Sequence, residues 1–163
     1  MKLLSCLVVC TVLTIVHCVY ALGQVPVHGV DKTLAKFDPA RNAEKDISDA
    51  IVEAQASNRR IFLDVGGEWC VWCRRIDTLL ARRKDIAEYL ERNFVVVKVN
   101  YSKENKNEKV LSQFPKVAGY PHFFILESDG KLLHSQDTSE LEKGKGHDPE
   151  KVLAFLRKWA PAH

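Results

Sequence analysis

Two cysteines separated by two residues, Cys70-Val71-Trp72-Cys73, follow closely on a short apolar run that a Gly-Gly pair interrupts. The run, Ile61-Phe62-Leu63-Asp64-Val65, suits a strand buried on both faces, and Gly66-Gly67 breaks it. From Val71 onward Ile76, Leu79, Leu80, Ile86, Ala87 and Leu90 recur at helical spacing. The helix therefore starts at or just after Cys70 and bends or restarts near Arg82–Asp85. A first sulfur at a helix mouth and a second one turn in can meet and part without moving the rest of a fold.

The flanking sequence extends this frame. Ile47, Ala50, Ile51 and Ala54 make one apolar stripe on a helix at about 43–57, which Asn58 ends. Phe94-Val95-Val96-Val97-Lys98-Val99 is β-branched and reads as the next strand. A charged helix is expected at roughly 104–114, and Gly119-Tyr120-Pro121 then interrupts the chain before a strand at 122–126. Ser128-Asp129-Gly130 is a hairpin turn signal, with a return strand at 131–135. Glycines and charges fill 137–147, and Asp148-Pro149 supplies an N-cap and first turn for a last helix ending near Trp159. The order αβαβαββα implies an α/β fold with a central mixed sheet flanked by helices: a parallel pair made by a crossover, and an antiparallel closing hairpin.

Of the 163 residues, 46% are hydrophobic and 28% charged, which suits one compact domain. Residues 1–21 stand apart from it. Lys2 precedes an apolar run from Leu3 to Val16, and Val19-Tyr20-Ala21 has small residues where a signal peptidase cuts, so a cleaved signal peptide is expected. An uncleaved anchor is the rival reading, but Thr11, Thr14 and His17 interrupt the run. Residues 22–42, with Gly23, Pro26, Gly29 and Pro39, read as an irregular lead-in, and 43–163 as the domain.

Cysteine usage then narrows the chemistry. Three of the five cysteines (Cys6, Cys10 and Cys18) lie in the first 21 residues, leaving Cys70 and Cys73. A loop this short adds little chain-entropy stability, so the pair is better explained by chemistry than by stapling. A helix N-terminus favours an anion, raising the thiolate fraction of Cys70, while Cys73 lies deeper and resolves the mixed disulfide. Half of a zinc site is a competing reading, but two further ligands at paired spacing are missing from the sequence. Arg74 stands where heme attachment needs His. An inert oxidised pair remains open. The net charge of +3, one less without Lys2, is spread among mixed acidic and basic residues, with no stripe to track nucleic acid.

The segment from Phe62 to Cys73 resembles the active-site segment of thioredoxins, with an acid six residues before the first cysteine and Glu68-Trp69 ahead of it. Val97-Lys98-Val99-Asn100 and Gly119-Tyr120-Pro121 are similar to the family's next strand and to its proline turn. Within the family, the Cys-Val-x-Cys centre is most similar to periplasmic members such as the C-terminal domain of the bacterial transmembrane disulfide reductase. The resemblance implies a thioredoxin fold and a cis bond before Pro121. It makes Asp64 a buried acid that accepts the Cys73 proton and Lys98 a neighbour that tunes it. Asp77 stands where the reductase domain also has a carboxylate; a solvated helix face explains it equally well.

Trp69, Trp72, Tyr120, Pro121 and His122 are the expected client-binding residues: two apolar rings beside the sulfurs, and a backbone edge for an extended strand. Two departures stand out. Val-Trp replaces the usual Gly-Pro between the cysteines, which leaves the direction of electron flow open. His122 replaces the usual Thr, and either stabilises the Cys70 thiolate or points into solvent.

These readings converge on an exported thiol–disulfide oxidoreductase, periplasmic or secreted, that acts on protein disulfides as a reductant. It needs no cofactor or metal, and its partners are disulfide-containing clients and an upstream dithiol donor, soluble or membrane-bound. The alternative is a non-catalytic, chaperone-like protein that uses the Tyr120-Pro121 groove to hold peptides.

Overall fold

The computed structural model describes residues 35–162, so the expected signal peptide and most of the lead-in lie outside the described residues. The first helix, α1 (Ala43–Ser57), is opened by Asn42, whose side chain accepts a hydrogen bond from the Lys45 amide. Glu44 and Asp46 lie in its first turn, where negative charge suits the helix dipole. Asn58 closes it in the left-handed region at φ 52°, a conformation that asparagine tolerates better than most residues.

Strand β1 (Arg60–Gly66) is the centre of a four-stranded sheet ordered β2-β1-β3-β4. It runs parallel to β2 (Phe94–Asn100) and antiparallel to β3 (His122–Leu126), and β3 pairs antiparallel with β4 (Leu132–Asp137). Both faces of β1 are covered, which is why its sequence is almost continuously apolar. Phe62, Val96, Phe123 and Ile125 face one layer, made by α2 (Val71–Arg82), α3 (Lys84–Asn93) and α5 (Pro149–Trp159). Ile61, Leu63, Val65, Val97, Val99 and Phe124 face the other, against Ala50 and Ala54 of α1. Each fully buried aliphatic side chain contributes about 1.5–3 kcal/mol.

The expected break in the long helix falls at Arg83, whose φ −103° and ψ 77° are non-helical. The charged helix expected at 104–114 shrinks to a single turn, α4 (Glu108–Leu111). Side-chain bonds explain the loss: Asn100 donates to the Asn105 carbonyl, Asn107 donates back to the Asn100 carbonyl, and Asn107 itself is left-handed. The stretch of glycines and charges, 137–147, holds a 3-10 turn (Thr138–Leu141) followed by a hairpin of two-residue strands, β5 (Glu142–Lys143) with β6 (Gly146–His147). No helix among the described residues is long and apolar enough to cross a membrane.

Candidate functional site

The site forms where β1 ends. Gly66 is small of necessity, since a Cβ there would stand 2.5 Å from the Cys73 sulfur and 3.0 Å from the Phe37 ring. The turn places Cys70 as the N-cap of α2, with its amide donating to the Gly67 carbonyl at 2.9 Å. The Cys70 Sγ accepts the Cys73 amide hydrogen at 3.0 Å. One helical turn brings the two Cα atoms to 5.2 Å, and the sulfurs are joined in a disulfide. Both cysteines are buried, Cys70 at 3% and Cys73 at 1% exposure, packed by Phe37, Trp72 and Tyr120.

Parallel register sets Asp64 beside Lys98. Asp64 lies two residues before Gly66, so strand alternation turns its side chain to the face where Cys73 packs. Lys98 Nζ lies 2.9 Å from Asp64 Oδ2 and also contacts Asp77 Oδ1 from α2. Asp64 Oδ1 is buried and accepts no hydrogen bond. One ammonium thus serves two carboxylates. Burial first, and the Asp64 charge next after the opposing pull of Lys98, hold the Asp77 carboxyl above the ordinary aspartate range. Burial works against the Lys98 ammonium, but Asp64 and then Asp77 outweigh it and hold the amine above its usual value. The Phe37 ring covers Lys98 at 4.5 Å, and the Phe37 amide donates to Glu68 Oε1 at 2.9 Å.

The expected client-binding residues divide. Trp69 is 57% exposed, donates its indole N–H to the Tyr101 carbonyl at 2.7 Å, and stands edge-on to Tyr120. Tyr120 stacks on Tyr101 at 4.7 Å, and its bond to Pro121 is cis. Thr138 donates its hydroxyl hydrogen to the Pro121 carbonyl, fixing the turn. A cleft of about 400 Å³ opens beside these rings, lined by Trp69, Tyr101, Lys103 and Lys106. Trp72 is only half-buried, and its ring carries the Arg75 guanidinium at 4.2 Å.

His122 lies elsewhere. It pairs with Val65 in the sheet, so its ring occupies the face opposite Asp64, bonded to the Ser135 hydroxyl at 2.8 Å and packed on Phe124. Burial pushes its imidazole toward the neutral form.

Sequence reasoning passed over Phe37 and His147, and gave Glu68 no role beyond its place in the motif. The signal for Phe37 was slight: it is the single phenylalanine in the lead-in, 31 residues from its partner Glu68. No group of three or more potential metal ligands occurs among the described residues.

A family model described as thioredoxin-like matches residues 42–128. The thiol:disulfide interchange protein DsbD of Klebsiella pneumoniae is 26% identical over 106 residues, covering 65% of this chain and 17% of that protein. The chain thus spans about a sixth of that relative's length. Among solved structures, a disulphide isomerase from Xylella fastidiosa superposes with TM-score 0.64 at 22% identity, over 75% of this chain and 94% of that one. The oxidised DsbD C-terminal domain of Neisseria meningitidis does so with TM-score 0.55 at 16% identity, over 77% and 99%.

Proposed function

As the chain belongs to the thioredoxin-like family, we propose that it is an exported thiol–disulfide oxidoreductase that reduces disulfides in client proteins. The observation that supports this most directly is the paired Cys70 and Cys73 at the N-terminus of α2, over a buried Asp64 with one carboxylate oxygen unused. Once the pair is reduced, the helix terminus favours a Cys70 thiolate. That thiolate attacks a client disulfide, and a mixed disulfide forms. Cys73 passes its proton to Asp64 Oδ1, attacks Cys70 Sγ and releases the client as a dithiol.

Lys98 steadies the Asp64 carboxylate between turnovers. Trp69 and Tyr120 supply the apolar rim against which a client strand lies, and the backbone beside the cis Pro121 supplies its hydrogen-bonding edge. Because Cys70 is covered by rings, a client displaces Tyr120 or Trp72 as it docks. Electrons return from an upstream dithiol protein. A periplasmic or otherwise secreted location follows from the apolar N-terminal run and its cleavage pattern.

Insulin-disulfide reduction tests the reading. Wild type is expected to be active, Cys70→Ser inactive, and Cys73→Ser to accumulate a mixed disulfide that is visible without reductant. Equal turnover by wild type and Cys70→Ser would refute it. Should peptide binding persist in Cys70→Ser while wild type reduces nothing, the exposed Trp69 rim serves the chaperone-like alternative. A reduction potential of about −270 mV marks a reductant, and one of about −120 mV an oxidant.

A further inference from the structure

His147 has no part in the chemistry described so far, yet it sits beside it. It ends the β5–β6 hairpin, which packs on α2, and it is 7% exposed. Neither ring nitrogen has a hydrogen-bond partner among the described residues. A neutral imidazole carries one donor and one acceptor, and leaving both buried and unpaired costs free energy that a phenyl ring of similar size would not. Its ring stands edge-on to Trp72, the residue between the cysteines, with centroids 5.7 Å apart and planes at 84°.

Charged groups face it from each side. Asp64 lies on β1, Arg75 on α2, and Glu142 opposite it in the hairpin register, with Lys143 and Asp148 paired nearby. Asp64 is in turn held by Lys98, which also holds Asp77. Burial is the largest influence on the ring and favours the neutral form; Asp64 opposes it and Arg75 reinforces it.

We propose that His147 is the redox-linked proton site of the dithiol, neutral while Cys70 and Cys73 are joined and protonated when they are reduced. The inference rests on the reading that the pair exchanges with client disulfides. It places His147 across Trp72 from the dithiol, where its charge offsets the thiolate and its proton is available to the client. Reduction adds a thiolate to a region already holding Asp64 and Asp77, and a cation with two free N–H groups is the complement to that charge.

The proton count then closes. The reduced protein holds a Cys70 thiolate, a Cys73 thiol and a protonated His147. Cys70 Sγ bonds to one client sulfur, the client S–S bond breaks, and the released thiolate takes the His147 proton through water. Cys73 gives its proton to Asp64, its sulfur bonds to Cys70 Sγ, and the mixed disulfide breaks. The second client thiolate collects the proton from Asp64. Two electrons and two protons have passed to the client, leaving a closed disulfide and a neutral imidazole.

The test is a proton–nitrogen NMR titration of the His147 ring in the oxidised chain and in the chain reduced with dithiothreitol, assigned with His147→Phe. The His147 midpoint is expected to lie at least about one pH unit higher in the reduced protein. By reciprocity, His147→Phe lowers the Cys70 thiolate fraction, read by its ultraviolet absorbance below its midpoint, by about tenfold. His147→Gln gives a second reading should the phenylalanine variant fold poorly. A midpoint unchanged between redox states would overturn the inference, as would an unshifted Cys70 titration in a folded variant. Insulin reduction judges the underlying activity separately, since the titration needs no client.

Discussion

Lys98→Met isolates the buried charge cluster. The ammonium lies 2.9 Å from Asp64 Oδ2, and the two side chains are 4% and 5% exposed. At an effective dielectric of about 20, unit charges this close attract by about 5–6 kcal/mol, much of it offset by dehydration. Removing the ammonium strands Asp64 while its dehydration cost stays. The expected loss is about 3–5 kcal/mol, the usual consequence of breaking a buried pair from one side. Asp77, at 27% exposure, can turn toward water and adds little.

For a domain of this size the loss corresponds to a fall of about 10–15 °C in Tm. Lys98 titrates above its ordinary value because Asp64 and Asp77 together outweigh burial. Its contribution is therefore complete at neutral pH and disappears only as the pH rises through the lysine's own titration. Urea unfolding at neutral pH measures the loss. The double variant Asp64→Asn/Lys98→Met removes both charges and is expected to recover at least half of it. A loss below about 1 kcal/mol for Lys98→Met, or a double variant no more stable than the single, would refute the argument.

Two further substitutions probe the surroundings. Gly66→Ala forces a methyl group against the Cys73 sulfur and the Phe37 ring, and is expected to cost about 1–3 kcal/mol in denaturant unfolding; an unchanged midpoint would show that the lead-in yields freely. Asp77 is held above the ordinary carboxylate range, first by burial and then by Asp64 against the pull of Lys98, so the folded chain binds that proton more tightly than the unfolded one. Its contribution is greatest at acid pH and declines as the pH rises through the folded titration. Asp77→Asn should therefore gain on wild type between acid and neutral pH, and parallel stability curves would exclude this.

Much of the sheet was legible because its strands are apolar runs, and β1 and β2 could hardly be anything else. The nearness of Lys98 to Asp64 was an expectation of the family resemblance, not of the residue pattern, and the parallel register of β1 and β2 brings it about. Residues 104–114 misled because charge spacing alone suggests a helix, whereas Asn100, Asn105 and Asn107 redirect the backbone through side-chain bonds. His122 misled for a different reason. Its place after the proline turn suggests a side chain aimed at the dithiol, but the two-residue repeat of a strand turns it to the far face. Phe37 and His147 carry no local pattern at all, since their surroundings are assembled from distant β1 and α2.

The ring of Phe37 reaches the sulfurs from ahead of the stretch shared with the family, 42–128, and His147 reaches Trp72 from beyond it. Part of what surrounds the dithiol therefore lies outside the stretch that marks this chain as a relative. Proteins grouped by the common segment can keep the same four-residue motif and still differ in how strongly they hold electrons. Sorting them by chemistry calls for comparing the flanks, which supply Phe37 and His147 here.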